Sequence, residues 1–206
     1  MEYSPLCVKV WGDYACFTRP EYKVDRVSYD VPTPSAARGI LEAIFWHKPM
    51  QWRVLEVVVL KPIRRFSLLR NEVNVKMSPG SDGLSITDVR TQRHTLGLRD
   101  VAYLIKANVY LPPGSEDADP AKYRDQFRRR VERGQCFHRP YLGCREFAAC
   151  FGPPDGTEQA IEDTYDLGLM LFDIDYGPQN VPRFFDARLE RGVMRIPQEL
   201  YEGRSA

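Results

Sequence analysis

Three histidines, His47, His94 and His138, are the side chains best suited to proton transfer near neutral pH. An unperturbed histidine has a pKa of about 6.5, so it serves as an acid or as a base. His47 is followed by Lys48, which puts a cation beside a proton-transfer group. One reaction that such side chains can carry out is the metal-free cleavage of an RNA phosphodiester. It needs a base to remove the 2′-hydroxyl proton, an acid to protonate the 5′-oxygen and a cation to stabilise the phosphorane. We therefore take His47 as the first candidate for proton transfer and His94 as the next.

Two other residue types bear on metal chemistry. Asp173 and Asp175 share one face of a predicted strand, because side chains alternate along a strand, and such a pair could hold Mg²⁺ for cleavage of DNA or RNA. A polar strand face is the simpler interpretation. The five cysteines form no C-x-x-C pair and the histidines lie far apart in sequence, so we expect reduced thiols, no zinc site and no cofactor.

The small net charge of +1 conceals an uneven distribution. Residues 155–206 hold eleven acidic residues and five arginines, whereas residues 1–154 hold 24 basic and 17 acidic residues. Residues 61–99 and 121–145 each contain eight lysines or arginines. This clustering indicates that the first three quarters of the chain face a polyanion. With no apolar run of about 18 residues and no signal-peptide pattern, we expect a cytoplasmic protein that does not enter membranes.

Two helices are predicted from capping residues and apolar spacing. The first has Thr33 as N-cap and Pro34 in its first turn, with an apolar face formed by Ala37, Ile40, Leu41 and Ile44. The second has Asp119 as N-cap, Pro120 at its first position and Gly134 as its stop. Its predicted inner stripe is Tyr123, Phe127 and Val131, with Arg124, Arg128, Arg129 and Arg133 on the remaining surface.

Strands are predicted at residues 6–11, 52–60 and 101–111, and shorter ones at 147–151, 167–176 and 193–197. With the two helices, this order predicts an α+β fold of the ferredoxin-like (RRM/RAMP-type) kind over residues 1–151. Residues 63–98 are too long for a hairpin turn and are predicted to form an inserted basic β-hairpin lobe. Residues 152–206 are predicted to form a small, acidic, antiparallel β-rich C-terminal region.

Several motifs, in this order along the chain, resemble one known family. They are residues 10–20 (VWGDYACFTRP), 28–32 (SYDVP), 32–44 (PTPSAARGILEAI) and 142–147 (LGCREF). The chain is similar to the repeat-RNA-processing endoribonucleases of subtype I-C CRISPR systems, within the RAMP superfamily of RNA-binding proteins. The resemblance covers nearly the whole chain. It implies that the protein cuts CRISPR repeat RNA, retains the 5′ tag, and assembles with other subunits of a surveillance complex.

The resemblance also implies a site. In relatives a tyrosine at the end of the first helix acts with a lysine and a histidine on a later strand. Here Phe45 occupies the helix end, and the later strand offers Lys106 and Asn108. Because Phe45 has no hydroxyl group, we expect His47 to take over proton transfer and Lys106 to supply the cation. The predicted catalytic set is therefore His47, Lys106 and Asn108.

RNA contacts are predicted from cations and aromatics around the basic segments. The candidates are Arg19, Arg26, Trp46, Lys48, Arg93, His94, Arg128, Arg129 and Arg133. The expected partners are precursor and mature CRISPR RNA, the other complex subunits and, as a further candidate, duplex DNA.

Two rival functions remain open at this point. One is a scaffold that binds the 5′ tag of the processed RNA without cutting it, which Phe45 and Asn108 favour. The other is a metal-dependent or non-specific nuclease acting on duplex DNA, for which Asp173 and Asp175 would be the metal ligands.

Overall fold

The computed structural model describes residues 3–22, 24–76, 83, 85–115, 119–176 and 179–202. Within these residues the chain has the mixed α and β content that was predicted, with a curled antiparallel sheet and few helices. The helices are α1 (Pro34–Ile44), α2 (Ile86–Val89) and α3 (Ala121–Glu132), with a 3₁₀ turn at Gln198–Tyr201. The strands are β1 (Leu6–Ala15), β2 (Arg26–Val27), β3 (Gln51–Val59), β4 (Arg64–Val73), β5 (Arg90–Tyr110), β6 (Cys150–Gly152), β7 (Tyr165–Asp175), β8 (Val181–Glu190) and β9 (Val193–Arg195).

The strands pair in the order β6-β1-β5-β3-β9-β8-β7, and each neighbouring pair is antiparallel. The first part of β5 carries two further strands, with β4 antiparallel to it and β2 parallel. The acidic C-terminal strands join the sheet through β9, which pairs with β3. The sheet therefore runs from β6 to β7, and the basic ribbon of β4 and β5 branches from one of its inner strands.

Helix α1 begins and packs as its sequence predicts. The hydroxyl of Thr33 accepts a hydrogen bond from the backbone N–H of Ala36 at 3.1 Å, which satisfies one of the free donors of the first turn. The four apolar side chains spaced along one face are all buried: Ala37, Ile40, Leu41 and Ile44. This face packs against β3 and β7, so the end of α1 is held firmly over the sheet.

Helix α3 differs from its prediction in two respects. Its N-cap is Pro120 rather than Asp119, although an Asp119 carboxylate oxygen still accepts from the N–H of Ala121 at 2.9 Å. Arg124 was predicted on the surface but is buried, with 2% of its area exposed. Its guanidinium stacks on Tyr3 and donates to the carbonyl oxygen of Ser4. Those contacts offset part of the cost of its burial, although its Nε has no hydrogen-bond partner among the described residues, and burial lowers its pKa. The predicted inner stripe of Tyr123, Phe127 and Val131 is confirmed.

Strand β5 is longer than the sequence predicted, since it begins at Arg90 rather than near Val101. Its first ten residues, Arg90 to Arg99, pair with β4 and form a two-stranded ribbon, and then the same strand continues into the central sheet. The sequence did not mark β8 as a strand, although Phe185, Ala187 and Leu189 alternate and are buried. Among the helices of the described chain, none is long and apolar enough to cross a membrane.

Candidate nucleic-acid interface

The segment after α1 presents three predicted site residues to solvent. Phe45 ends the helix and is buried, with its carbonyl oxygen accepting from the indole N–H of Trp52 at 2.9 Å. The chain then turns outward, so Trp46, His47 and Lys48 are all exposed. Trp46 leaves 55% of its surface accessible. A large, exposed aromatic beside two cation-forming side chains is the combination that single-stranded nucleic acids stack on and bind.

His47 is positioned by α3. Its ring lies 5.6 Å from the ring of Tyr123, and its carbonyl oxygen accepts from the N–H of Met50 at 2.8 Å. Phe45 lies against the same helix, with its ring 6.4 Å from that of Tyr123 and 5.4 Å from the guanidinium of Arg130. The buried Phe45 thus anchors the turn, while His47 keeps its ring at the surface.

A second basic segment, residues 133–145, lies against the end of α1. The backbone N–H groups of Phe137 and His138 both donate to the carbonyl oxygen of Ala43, at 2.8 and 3.3 Å. Arg130 donates to the carbonyl oxygen of Ile44 at 3.1 Å. These donors satisfy carbonyl groups that the end of a helix leaves free. The contacts bring the segment beside the turn that carries His47.

Residues 133–145 form a cleft that we call the cationic cleft. It encloses about 330 Å³ and is lined by His138, Arg139, Tyr141 and Arg145. Phe137, next to its first residue, is 82% exposed. Of this group, sequence reasoning singled out only His138, as one of three histidines suited to proton transfer. An aromatic followed directly by His-Arg inside the most basic stretch of the chain was a usable signal for the others. The cleft and the turn after α1 together provide cations, stacking rings and two histidines.

The arginines predicted on α3 are at its surface. Arg128, Arg129 and Arg133 are exposed, and Arg128 forms an ion pair with Asp125 at 3.1 Å. The carboxylate of Asp125 offsets part of the charge of Arg128. The stronger candidates for phosphate contact are therefore Arg129 and Arg133.

The other two predicted catalytic residues lie elsewhere on the sheet. Lys106 and Asn108 alternate with the buried Ile105 and Ala107, so both lie on the less buried face of β5. The ammonium of Lys106 pairs there with Glu56 at 2.8 Å. The amide oxygen of Asn108 lies 3.4 Å from Nη1 of Arg124. The structure therefore links Asn108 to α3 but does not bring Lys106 to His47.

Four further predicted RNA contacts cluster around the β4–β5 ribbon. Arg26 pairs with Glu72 at 3.1 Å and with Glu146 at 2.7 Å. The guanidinium of Arg19 stacks over the ring of Tyr29 at 4.4 Å. His94 is exposed, and its backbone N–H donates to Asp25 at 2.9 Å. The predicted contacts of this cluster are Arg19, Arg26, Arg93 and His94.

The sulfur of Cys144 also lies next to Arg26. The Cys16 thiol, which hydrogen-bonds to the Cys144 sulfur, lowers the pKa of Cys144 to about 6. Nη1 of Arg26 lies 3.8 Å from that sulfur. Since the carboxylates of Glu72 and Glu146 pair with Arg26, much of its charge is offset inside the protein. Arg26 is consequently a weaker candidate for phosphate contact than the arginines of the cationic cleft.

The two aspartates considered for metal binding have separate partners. Both carboxylate oxygens of Asp173 accept from the guanidinium of Arg38, and Asp173 is 3% exposed. Asp175 is exposed, and one of its oxygens lies 3.9 Å from Arg183. The carboxylate of Asp173 is thus already engaged by a cation. Within the described residues, no group of three or more histidine, cysteine or acidic side chains is arranged to hold a metal ion.

Gly143, in the loop that borders the cleft, can be tested for its structural role. It has a φ of +85°, and a Cβ there would overlap the carbonyl oxygen of Cys16. We expect Gly143→Ala to lower the free energy of unfolding by about 3 kcal/mol, combining the left-handed backbone with the overlap. Gly156 also has a φ of +85° but has open space around it, so Gly156→Ala should cost only about 1 kcal/mol. Urea unfolding of both variants measures the difference, and equal reductions would contradict the overlap.

Comparison with known proteins agrees with the motif resemblance. The profile of the Cas5d family, described as CRISPR-associated protein (Cas_Cas5), matches residues 5–198. The CRISPR pre-crRNA endoribonuclease Cas5d of Thermus thermophilus is 47% identical over 216 residues, which covers 96% of this chain and 93% of that protein. The protein of the same name from Mannheimia succiniciproducens is 45% identical over 208 residues, covering 91% and 92%.

Among solved structures, a crystal structure of a CRISPR-associated protein matches with a TM-score of 0.71 and 25% identity, covering 95% of each chain. These matches place the chain among the CRISPR-associated proteins. Within that class it belongs to the Cas5d family, so the resemblance seen in the motifs is confirmed.

Proposed function

We propose that this chain cuts precursor CRISPR RNA within the repeat and retains the 5′ tag as a subunit of the type I-C surveillance complex. The observation that carries the proposal is the close similarity, over nearly the whole chain, to two proteins named CRISPR pre-crRNA endoribonuclease Cas5d. The surface around the end of α1 supports it, because cations, exposed aromatic rings and histidines lie there together.

We further propose that cleavage is metal-independent. In this mechanism His47 removes or delivers a proton at the scissile phosphate, and a cation stabilises the phosphorane. Lys106 was the cation expected from the sequence, but it pairs with Glu56 on the less buried face of β5. Arg139 is the better candidate, since it lines the cationic cleft beside His138. His138 is then a second candidate for proton transfer, and Asn108 is a hydrogen-bonding residue near α3.

We infer a ferredoxin-like core for residues 1–151, in which two β-α-β units interleave. The order β6-β1-β5-β3, with α1 between β1 and β3 and α3 between β5 and β6, supports that inference. On this division residues 63–98 are an insert made of β4 and the first part of β5. Residues 152–206 then form the C-terminal region that carries β7, β8 and β9.

A non-catalytic scaffold is the second candidate function. The buried Phe45 favours it, because the helix end lacks the hydroxyl group that the motif resemblance led us to expect there, and the phenyl ring is buried in the core. A scaffold would bind the same repeat RNA through the same cations and aromatics. The two functions differ only in whether the bound RNA is cut.

Incubation of the protein with repeat RNA in EDTA separates these functions. Cleavage at one position per repeat without metal supports the proposed endoribonuclease. Binding without cleavage, with or without added metal, identifies a scaffold. Cleavage that needs added Mg²⁺ or Mn²⁺ identifies a metal-dependent nuclease, and duplex DNA should then be tested as a second substrate. A parallel thermal unfolding measurement identifies a preparation that fails to cut because it is unfolded.

Salt dependence tests whether the cationic cleft binds phosphates. Removing one phosphate-binding cation should flatten the plot of log affinity against log salt by about 0.7 for single-stranded RNA. We expect the double replacement of Arg139 and Arg145 by alanine to reduce the slope by about 1.4. Replacement of Arg129 and Arg133 on α3 should give a comparable reduction if the RNA follows that helix.

The matched control is Arg188→Ala, because Arg188 is exposed on β8 in the acidic region. Its slope should equal that of the unmodified protein. An unchanged slope in both double variants would show that these arginines face solvent or a protein partner instead.

A further inference from the structure

A second cavity lies beside the cationic cleft and shares a wall with it. It encloses about 360 Å³ between the first turns of α1, strand β7 and the loop at residues 141–143. The side chain of Tyr141 lines both this cavity and the cationic cleft. The volume lies within the range of about 300–1,000 Å³ found for ligand sites. A strand in the cleft that reaches Tyr141 is therefore next to the cavity.

The polar centre of the cavity is the pair formed by Arg38 and Asp173. Nη1 and Nη2 of Arg38 donate to the two carboxylate oxygens of Asp173, and Nε lies 3.4 Å from Glu42. A guanidinium has five N–H donors, so two remain that these two carboxylates do not take. The positive charge is offset by both carboxylates, which favours a neutral hydrogen-bonding ligand over a phosphate.

Aromatic and hydroxyl side chains complete the walls. Tyr141 is 37% exposed and Tyr176 is 81% exposed, so both offer ring surface at the opening. Thr18 and Ser35 contribute hydroxyl groups to the lining. Stacking rings with a few polar groups inside is how proteins hold a base that has left a nucleic-acid stack.

We propose that this cavity binds one unstacked nucleobase of an RNA strand whose phosphates lie along the cationic cleft. The base edge accepts hydrogen bonds from the two N–H groups of Arg38 that Asp173 and Glu42 do not use. The ring of Tyr141 or Tyr176 stacks on the face of the base. This inference rests on the proposed RNA-processing function and adds to it a nucleotide that the protein reads directly. That nucleotide is single-stranded, because a paired base cannot enter the cavity.

Gly39 provides a way to fill the cavity from α1. A methyl group on it would have no atom within 4 Å apart from its two chain neighbours and its own helix backbone. We expect Gly39→Phe to occupy the cavity without removing any side chain from its walls. Gly39→Ala is the matched control, since its methyl group is too small to block the site.

The experiment measures binding to a repeat stem-loop RNA with single-stranded flanks, in which one flanking nucleotide at a time is replaced by an abasic ribose. For the unmodified protein and Gly39→Ala, one position should lose about tenfold in affinity, as expected for one stacked base. Gly39→Phe should bind the intact RNA about tenfold more weakly. The abasic replacement at that position should then have no further effect.

The proposal is overturned if no position is sensitive, or if the sensitive position loses as much affinity with Gly39→Phe as with Gly39→Ala. Cleavage of the intact RNA is followed in the same samples. If the RNA binds with one sensitive position but is never cut, the nucleobase site stands and the endoribonuclease function is wrong. If the RNA is cut but no position is sensitive, the endoribonuclease function stands and the nucleobase site is wrong. If the RNA does not bind, both proposals are wrong.

Discussion

A repeat RNA with 2′-deoxyribose at the cut nucleotide is expected to stay uncut, even over times that cleave the all-ribose substrate to completion. In the proposed mechanism the 2′-oxygen attacks phosphorus, a 2′-O–P bond forms, and the bond from phosphorus to the 5′-oxygen breaks. The 2′-hydroxyl proton goes to a base, and an acid protonates the departing 5′-oxygen. Removal of the 2′-hydroxyl removes the nucleophile, so the loss of cleavage should be complete rather than partial.

Gel electrophoresis and mass spectrometry of the products provide the measurement. The all-ribose substrate should yield a 2′,3′-cyclic phosphate on one fragment and a 5′-hydroxyl on the other, in EDTA. The control carries the 2′-deoxy group one nucleotide away from the cut site, and it should be cleaved and bound normally. Cleavage of the modified substrate, or strict dependence on Mg²⁺ together with loss of activity in Asp175→Ala, would contradict the mechanism.

The regular parts of the fold were predictable because local chemistry and packing agree there. Thr33, Pro34 and the apolar face of α1 predict the helix and its buried side correctly. The long start of β5 was not predictable, since Arg90 to Thr95 all carry polar side chains whose strand conformation depends on pairing with β4. Strand β8 could have been found from the alternation of Phe185, Ala187 and Leu189, despite Pro182 near its beginning.

The candidate site was predictable in part. Trp46, His47 and Lys48 follow a predicted helix end, and the structure exposes all three. No local pattern indicated that Phe137 and His138 would meet them, because the link is a pair of backbone hydrogen bonds to Ala43 across more than 90 residues of chain. The position of Lys106 on the less buried face of β5 depends on strand register, which a short apolar run leaves undetermined.

Replacement of His47 by alanine is expected to slow single-turnover cleavage of repeat RNA by at least about 100-fold. A positioned general acid or base typically contributes about 10²–10⁴-fold to a rate. RNA affinity should change by no more than a few-fold, because Trp46, Lys48 and the arginines of the cationic cleft remain. Single-turnover rates with excess protein, together with affinities measured on an uncleavable 2′-deoxy substrate, separate the two effects.

Other histidines and Phe45 supply the controls. His94→Ala alters an exposed histidine on the β4–β5 ribbon, so under this mechanism it should cut at close to the unmodified rate. His138→Ala should slow cleavage if His138 delivers the second proton beside Arg139. Phe45→Tyr should leave the cleavage rate unchanged or lower it, because the ring of Phe45 is buried and a hydroxyl group on it would lie in the core. If His47→Ala cuts at the unmodified rate while His94→Ala or His138→Ala does not, proton transfer belongs to that histidine, and the assignment of His47 is wrong.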